Sequence, residues 1–126
     1  MYLDVDVLYA LVKEKDFHKE YAERITATAG AKVTSCVSLL ELEIVVKREL
    51  GDEKSMEIDR WVRRLVPGID IAEFTEKQFA KSLELRKKYG LGIFDAVHAA
   101  VCLEKGGQMA STDHAFDRVP GIARIK

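Results

Sequence analysis

Four acids in this chain, Asp4, Glu41, Asp95 and Asp113, stand either beside apolar residues or shortly after an apolar-centred segment. Asp4 follows Tyr2-Leu3 and is followed at once by more apolar residues. Glu41 lies between Leu40 and Leu42, Asp95 between Phe94 and Ala96, and Asp113 just after the apolar-centred segment Gln108–Ser111. Each has an ordinary explanation as a helix cap, whose carboxylate satisfies free N–H groups. Asp6 is the more natural cap of the first helix by position. Ser38-Leu39-Leu40-Glu41 reads as a capping box. Asp95 precedes a helix, and Asp113 precedes the turn His114–Phe116, with Asp117 on the same side of that turn. His98 shares a helix face with Asp95, but a lone histidine on a small-residue helix is packing or surface, and it is not assigned as a ligand. Taken together, the four acids imply more. Carboxylates brought close repel one another and raise each other's pKa unless a cation shares them. Mg²⁺ or Mn²⁺ suits such a set, because it takes few carboxylates and keeps waters for a substrate phosphate. The chemistry is then metal-assisted hydrolysis of a phosphodiester.

The elements must bring these acids together. Met1–Asp4 reads as a short buried strand leading into a helix around Val7–Lys13, and His18–Ala29 as a second helix closed by Gly30. Ala31–Thr34 is a strand. Ser38–Leu50 carries Leu39, Leu42, Val46 and Leu50 at helical spacing and is stopped by Gly51. Glu53–Leu65 reads as one helix, Ile69–Ala72 as a strand, and Thr75 with Gln78 as a capping box opening a helix that runs to Tyr89-Gly90. Phe94–Glu104 is a small-residue helix, Gln108–Ser111 a strand, Ala115-Phe116 a helical turn and Ala123–Ile125 a last strand. Short strands alternating with helices predict an α/β fold with a parallel sheet covered on both faces. Ligands bind such sheets beyond the carboxyl ends of the strands, where strand order reverses. Asp4, Glu41 and Asp113 each follow a predicted strand.

At 126 residues the chain fits one domain, residues 1–126, with a core that needs no staples. The 48% hydrophobic and 33% charged composition argues against wholesale disorder. A net charge of −1 argues against a protein that coats nucleic acid through a large basic face, though not against an enzyme gripping a few nucleotides. Lys47-Arg48, Arg60 with Arg63-Arg64, and Arg86-Lys87-Lys88 are basic clusters, each best read as a solvated helix face. Cys36 and Cys102 cannot make a disulfide framework and read as small core residues. No apolar run is long enough to cross a bilayer, and the N-terminal stretch lacks a basic leader, so the expectation is a cytoplasmic protein without a membrane role.

The ordered motifs resemble those of PIN-domain ribonucleases, in particular stand-alone toxins of VapC type. Leu3-Asp4-Val5-Asp6-Val7-Leu8 resembles the family's leucine–aspartate–threonine–asparagine–valine–leucine opening. Ser35-Cys36-Val37-Ser38-Leu39-Leu40-Glu41-Leu42 is similar to the second motif and Ile93-Phe94-Asp95-Ala96-Val97-His98-Ala99-Ala100 to the third. Ser111-Thr112-Asp113-His114-Ala115-Phe116, with Val119-Pro120-Gly121-Ile122 behind it, resembles the closing motif. No single motif is specific; the ordered set spans nearly the whole chain. The resemblance implies a three-layer α/β/α sandwich with a short parallel sheet. It makes Asp4, Glu41, Asp95 and Asp113 the metal-binding and catalytic acids, with Asp117 a helper and Ser111 and Thr112 orienting Asp4 or water. It also implies an RNA substrate, Mg²⁺ or Mn²⁺, a homodimer, and a small antitoxin partner that occludes the acidic groove. The chain departs from the pattern at Val5, where threonine is usual, and at Asp6, where asparagine is usual. Asp6 reads as a cap.

Other readings compete. The opening also fits haloacid-dehalogenase-type phosphatases, with Asp4 as nucleophile and Asp6 as general acid, but Glu41 and Asp95 would then have no role. A response-regulator receiver would need an acceptor aspartate at the end of a middle strand, and Asp52–Asp59 reads as helix. An RNA-processing nuclease without an antitoxin and a non-catalytic partner-binding domain of the same fold both remain open.

Overall fold

The computed structural model describes all 126 residues. Its elements run β1 (Tyr2–Leu3), α1 (Val5–Val12), α2 (Lys19–Ala27), β2 (Val33–Ser35), α3 (Cys36–Leu50), α4 (Asp52–Ser55), α5 (Ile58–Leu65), β3 (Asp70–Ala72), α6 (Glu76–Tyr89), α7 (Ile93–Glu104), β4 (Gln108–Ala110), a 3₁₀ turn (His114–Arg118) and β5 (Ala123–Ile125). The five strands form one sheet in the order β3-β2-β1-β4-β5, and every pairing is parallel. The chain fills one side of β1 with β2 and β3, then crosses to the other side for β4 and β5. The strand order therefore reverses between β1 and β4, and the carboxyl ends of all five strands lie along one edge.

Alternation along the strands divides the core in two. Leu3 and Ala110 pack on one face with Val7, Leu8, Leu11, Ile25, Leu42, Val46 and Val62, which come from α1, α2, α3 and α5. Tyr2, Val33, Ala72 and Met109 pack on the other with Leu85 of α6, Phe116, and Ala96, Ala99 and Ala100 of α7. The small residues of α7 let that helix lie close to the sheet. The result is the expected three-layer α/β/α sandwich.

The boundaries that moved have local causes. α1 begins at Val5, two residues before the predicted start, because Asp4 is its N-cap and accepts from the Val5 N–H at 2.8 Å. α3 begins at Cys36, capped by Ser35, which accepts from the Ser38 N–H at 3.1 Å. Cys36 as first helical residue is exposed, so the core reading of that cysteine is corrected, while Cys102 is buried, with its Sγ 3.4 Å from the Gln108 carbonyl. The single helix expected over Glu53–Leu65 is two helices. The Ser55 hydroxyl donates to the Asp52 carbonyl at 2.7 Å and closes α4 after one turn. The Thr75–Gln78 capping box opens α6 as predicted, and Gly90 ends it in the left-handed conformation that favours glycine.

Candidate active site

Each of the four acids leaves a different segment of the chain, and all four line one open cleft of about 460 Å³ at the carboxyl edge of the sheet, together with Asp6, Tyr9, Val45 and Thr112. Asp4 lies directly after β1, where its N–H donates to the Ala110 carbonyl at 3.0 Å and locks the end of β1 to the end of β4. Glu41 lies in the second turn of α3, and Val45, one turn on, lines the cleft with it. Asp95 is in the first turn of α7, and Asp113 follows β4. This is the edge where the α/β rule places ligands. Acids there also meet the positive ends of the helix dipoles of α1 and α7, which offset part of their repulsion.

The side chains are held to different degrees. Asp4 is buried, at 6% exposure. One of its oxygens accepts from Val5 N–H and the other from the Ser111 hydroxyl at 2.7 Å. Burial, offset in part by His98 and reinforced by Asp6, nevertheless holds its carboxyl well above the usual carboxylate range. Asp95 is also raised, by partial burial first and then by the Asp113, Glu41 and Asp6 carboxylates. Asp113 caps the 3₁₀ turn, accepting from Ala115 N–H at 2.8 Å.

Several local readings are corrected. Glu41 is not the far end of a capping box: with the cap at Ser35 it lies too deep in α3, and its carboxylate meets His98 Nε2 at 2.6 Å instead. Asp95 is not a cap either, since Gly92 holds that position. Asp6 does not cap α1. It lies inside the first turn, where one oxygen accepts from Val7 N–H at 2.7 Å and the other from both the N–H (2.6 Å) and the hydroxyl of Thr112. Ser111 thus steadies Asp4, whereas Thr112 engages Asp6. Asp117 does not line the cleft. Both of its oxygens meet Arg124, at 2.9 and 3.1 Å, and that pairing holds its carboxyl below the usual range.

His98 is the residue that sequence reasoning set aside. It is 1% exposed, sits three residues after Asp95 on α7, and lies 3.9 Å from Asp4 as well as touching Glu41. Burial opposes its charged form, but the Glu41 hydrogen bond and the nearby Asp4, Glu41 and Asp95 charges outweigh it, and its pKa is raised. The available signal was its spacing from Asp95; what hid its importance was that Glu41 and Tyr2 are distant in sequence.

No three His, Cys, Asp or Glu side chains close into a ready cage for a metal ion. The donor set still fits a hard divalent cation. Every donor in the cleft is a carboxylate or hydroxyl oxygen, the cleft is open to water, and Mg²⁺ binds through one or two carboxylates while keeping several waters. Asp4, Glu41, Asp95 and Asp113 are the residues that would hold it.

A family model for the PIN domain matches residues 1–122, and the chain belongs to that family. Among curated proteins none is a significant sequence match. Solved structures are similar over nearly the whole chain. VapC20 of Mycobacterium tuberculosis, described as a Sarcin-Ricin loop cleaving toxin, superposes with a TM-score of 0.79 at 19% identity, covering 92% of each chain. FitAcB from Neisseria gonorrhoeae gives 0.72 at 18%, over 99% of this chain and 96% of the other. VapBC2 from Rickettsia felis, bound to a DNA fragment from its promoter, gives 0.71 at 18%, over 98% and 96%. At such identities the likeness speaks for the fold. The phosphatase reading falls with the family assignment, and the would-be general acid Asp6 is already engaged by Val7 and Thr112.

Proposed function

We propose that this chain is a Mg²⁺- or Mn²⁺-dependent endoribonuclease and the toxin of a toxin–antitoxin pair, working in the cytoplasm. One observation carries the catalytic part: four acids from four separate segments line one cleft in a chain of the PIN family. A divalent cation held there would supply Lewis acidity toward the phosphodiester and lower the pKa of a bound water. The chain's own residues prepare the place for it. Ser111 and the Val5 N–H fix both oxygens of Asp4, and His98 fixes Glu41. Asp113 is exposed and Asp95, like Glu41, is half-buried, so both can be reached by an entering phosphate.

The toxin assignment is supported by the toxin–antitoxin complexes among the similar structures, including one from Klebsiella pneumoniae and the Rickettsia felis complex. Two exposed apolar stripes supply area for protein partners. Leu40 and Ile44 lie one turn apart on α3, with Met56 beside Leu40 in one shallow hollow, and Phe79 and Leu83 lie one turn apart on α6. A homodimer and an antitoxin that covers the acidic cleft are the partners proposed.

Incubating purified protein with structured and unstructured RNA in Mg²⁺, Mn²⁺ or EDTA tests the enzymatic reading. Cleavage that EDTA abolishes supports it. A folded protein that cleaves neither RNA in either metal would instead favour a partner-binding domain.

A further inference from the structure

We propose that His98 is a positioning residue of the acidic cleft, which fixes Glu41 relative to Asp4 and Asp95 from beneath. The inference rests on the acidic-site reading above. His98 Nε2 lies 2.6 Å from Glu41 Oε2 and 3.9 Å from Asp4 Oδ1, so one ring nitrogen faces carboxylates from two different segments. A carboxylate only accepts, so that nitrogen carries the proton. On the other side of the ring, Nδ1 lies 2.8 Å from the Tyr2 hydroxyl and 3.3 Å from Ser38 Oγ. The Tyr2 hydroxyl is in turn within 3.1 Å of Ser35 Oγ and 2.9 Å of Ser38 Oγ. Either proton arrangement on the Tyr2 side leaves the Glu41 bond in place.

This network joins β1, β2, α3 and α7, the elements that carry or precede three of the four acids. A buried histidine needs partners for both nitrogens, and core residues could have supplied them. Here one partner is instead a carboxylate that lines the cleft, at 25% side-chain exposure, while the rest of the chain of bonds is buried. No buried side-chain polar atom in the molecule is left without a partner, so the ring cannot turn without orphaning one. Partners of this kind orient metal-binding carboxylates, and their loss typically costs about 10–100-fold in metal affinity.

The test is Mn²⁺ affinity, read from the electron paramagnetic resonance signal of free Mn²⁺, together with the melting temperature of each protein in chelator. The set is wild type, Glu41→Gln, Asp95→Asn, His98→Leu, His98→Gln and the Glu41→Gln/His98→Leu double variant. His98→Leu should weaken binding about 10–100-fold. His98→Gln, which offers an amide N–H near the position of Nε2, should recover most of the loss. The double variant should bind no worse than Glu41→Gln alone, because coupled residues are non-additive. If His98→Leu fails to fold, Tyr2→Phe carries the same comparison, with a loss of several-fold that vanishes in the Glu41→Gln background. Wild-type affinity in His98→Leu, or losses that simply add in the double variant, would overturn the positioning role while leaving the acidic site intact. Mn²⁺ binding that is absent in the wild type, or unchanged in both Glu41→Gln and Asp95→Asn, would overturn the acidic site and this inference with it.

Discussion

The Ser111 hydroxyl donates to Asp4 from the residue just after β4, and Asp4 stands just after β1. Two adjacent strand ends thus set the angle of one buried carboxylate. Ser111→Ala removes that donor without adding bulk, and it should lower RNA cleavage about 10–100-fold, as losses of such supporting partners do. Circular dichroism unchanged from wild type would show that the loss is local; undiminished cleavage would show that Asp4 needs no such support. At this scale the sequence was only partly legible. The apolar neighbours of Asp4, Glu41 and Asp95 show that these acids are not simply solvated, but they cannot distinguish a cap from a cleft residue. Asp4 and Asp113 are caps and also line the cleft, while Asp95 and Glu41 line it without capping. His98, Tyr2 and Ser38 reveal their connection only when strands and helices far apart in the chain are packed together.

The elements were more legible, because each announces itself over several residues. Thr75 and Gln78 form the capping box their spacing predicts, with Thr75 N–H donating to Gln78 Oε1 at 2.9 Å and Gln78 N–H to Thr75 Oγ1 at 3.2 Å. Thr75→Ala should cost about 1 kcal/mol of stability. Urea unfolding would measure it, and an unchanged midpoint would mean that α6 is held by packing alone. A larger effect is expected where β4 meets the turn before β5. Gly107 has φ +81°, and a Cβ there would stand 2.2 Å from the Gly121 carbonyl oxygen. Gly107→Ala therefore forces main chain apart as well as straining φ, and it should destabilise by about 1–3 kcal/mol or more. Helix starts are less legible in the sequence. They depend on which of several closely spaced capping residues wins, here Asp4 over Asp6, Ser35 over Ser38 and Gly92 over Asp95.

For the whole molecule, parallel order and the reversal of strand order between β1 and β4 explain why acids distant in sequence end at one edge. That much followed from strand–helix alternation. Which surfaces meet partners did not, since an exposed Leu40 or Phe79 has the same helical spacing as a core residue. With apolar stripes on α3 and α6 left open, purified protein should have about twice the 14.2 kDa mass of one chain by light scattering; a monomer at all concentrations would remove the dimer from the account. The concentrated negative charge of the cleft also predicts linkage. Mn²⁺ at 100 times its dissociation constant should stabilise the fold by about 2.7 kcal/mol, and Asp95→Asn should reduce that gain. The most direct measurement of the central claim compares RNA cleavage by wild type, Asp4→Asn and Asp95→Asn in Mg²⁺ and in Mn²⁺, with the fold of each confirmed. Wild type should cleave, and both variants should lose more than about 100-fold. Cleavage that survives in both folded variants would contradict that claim.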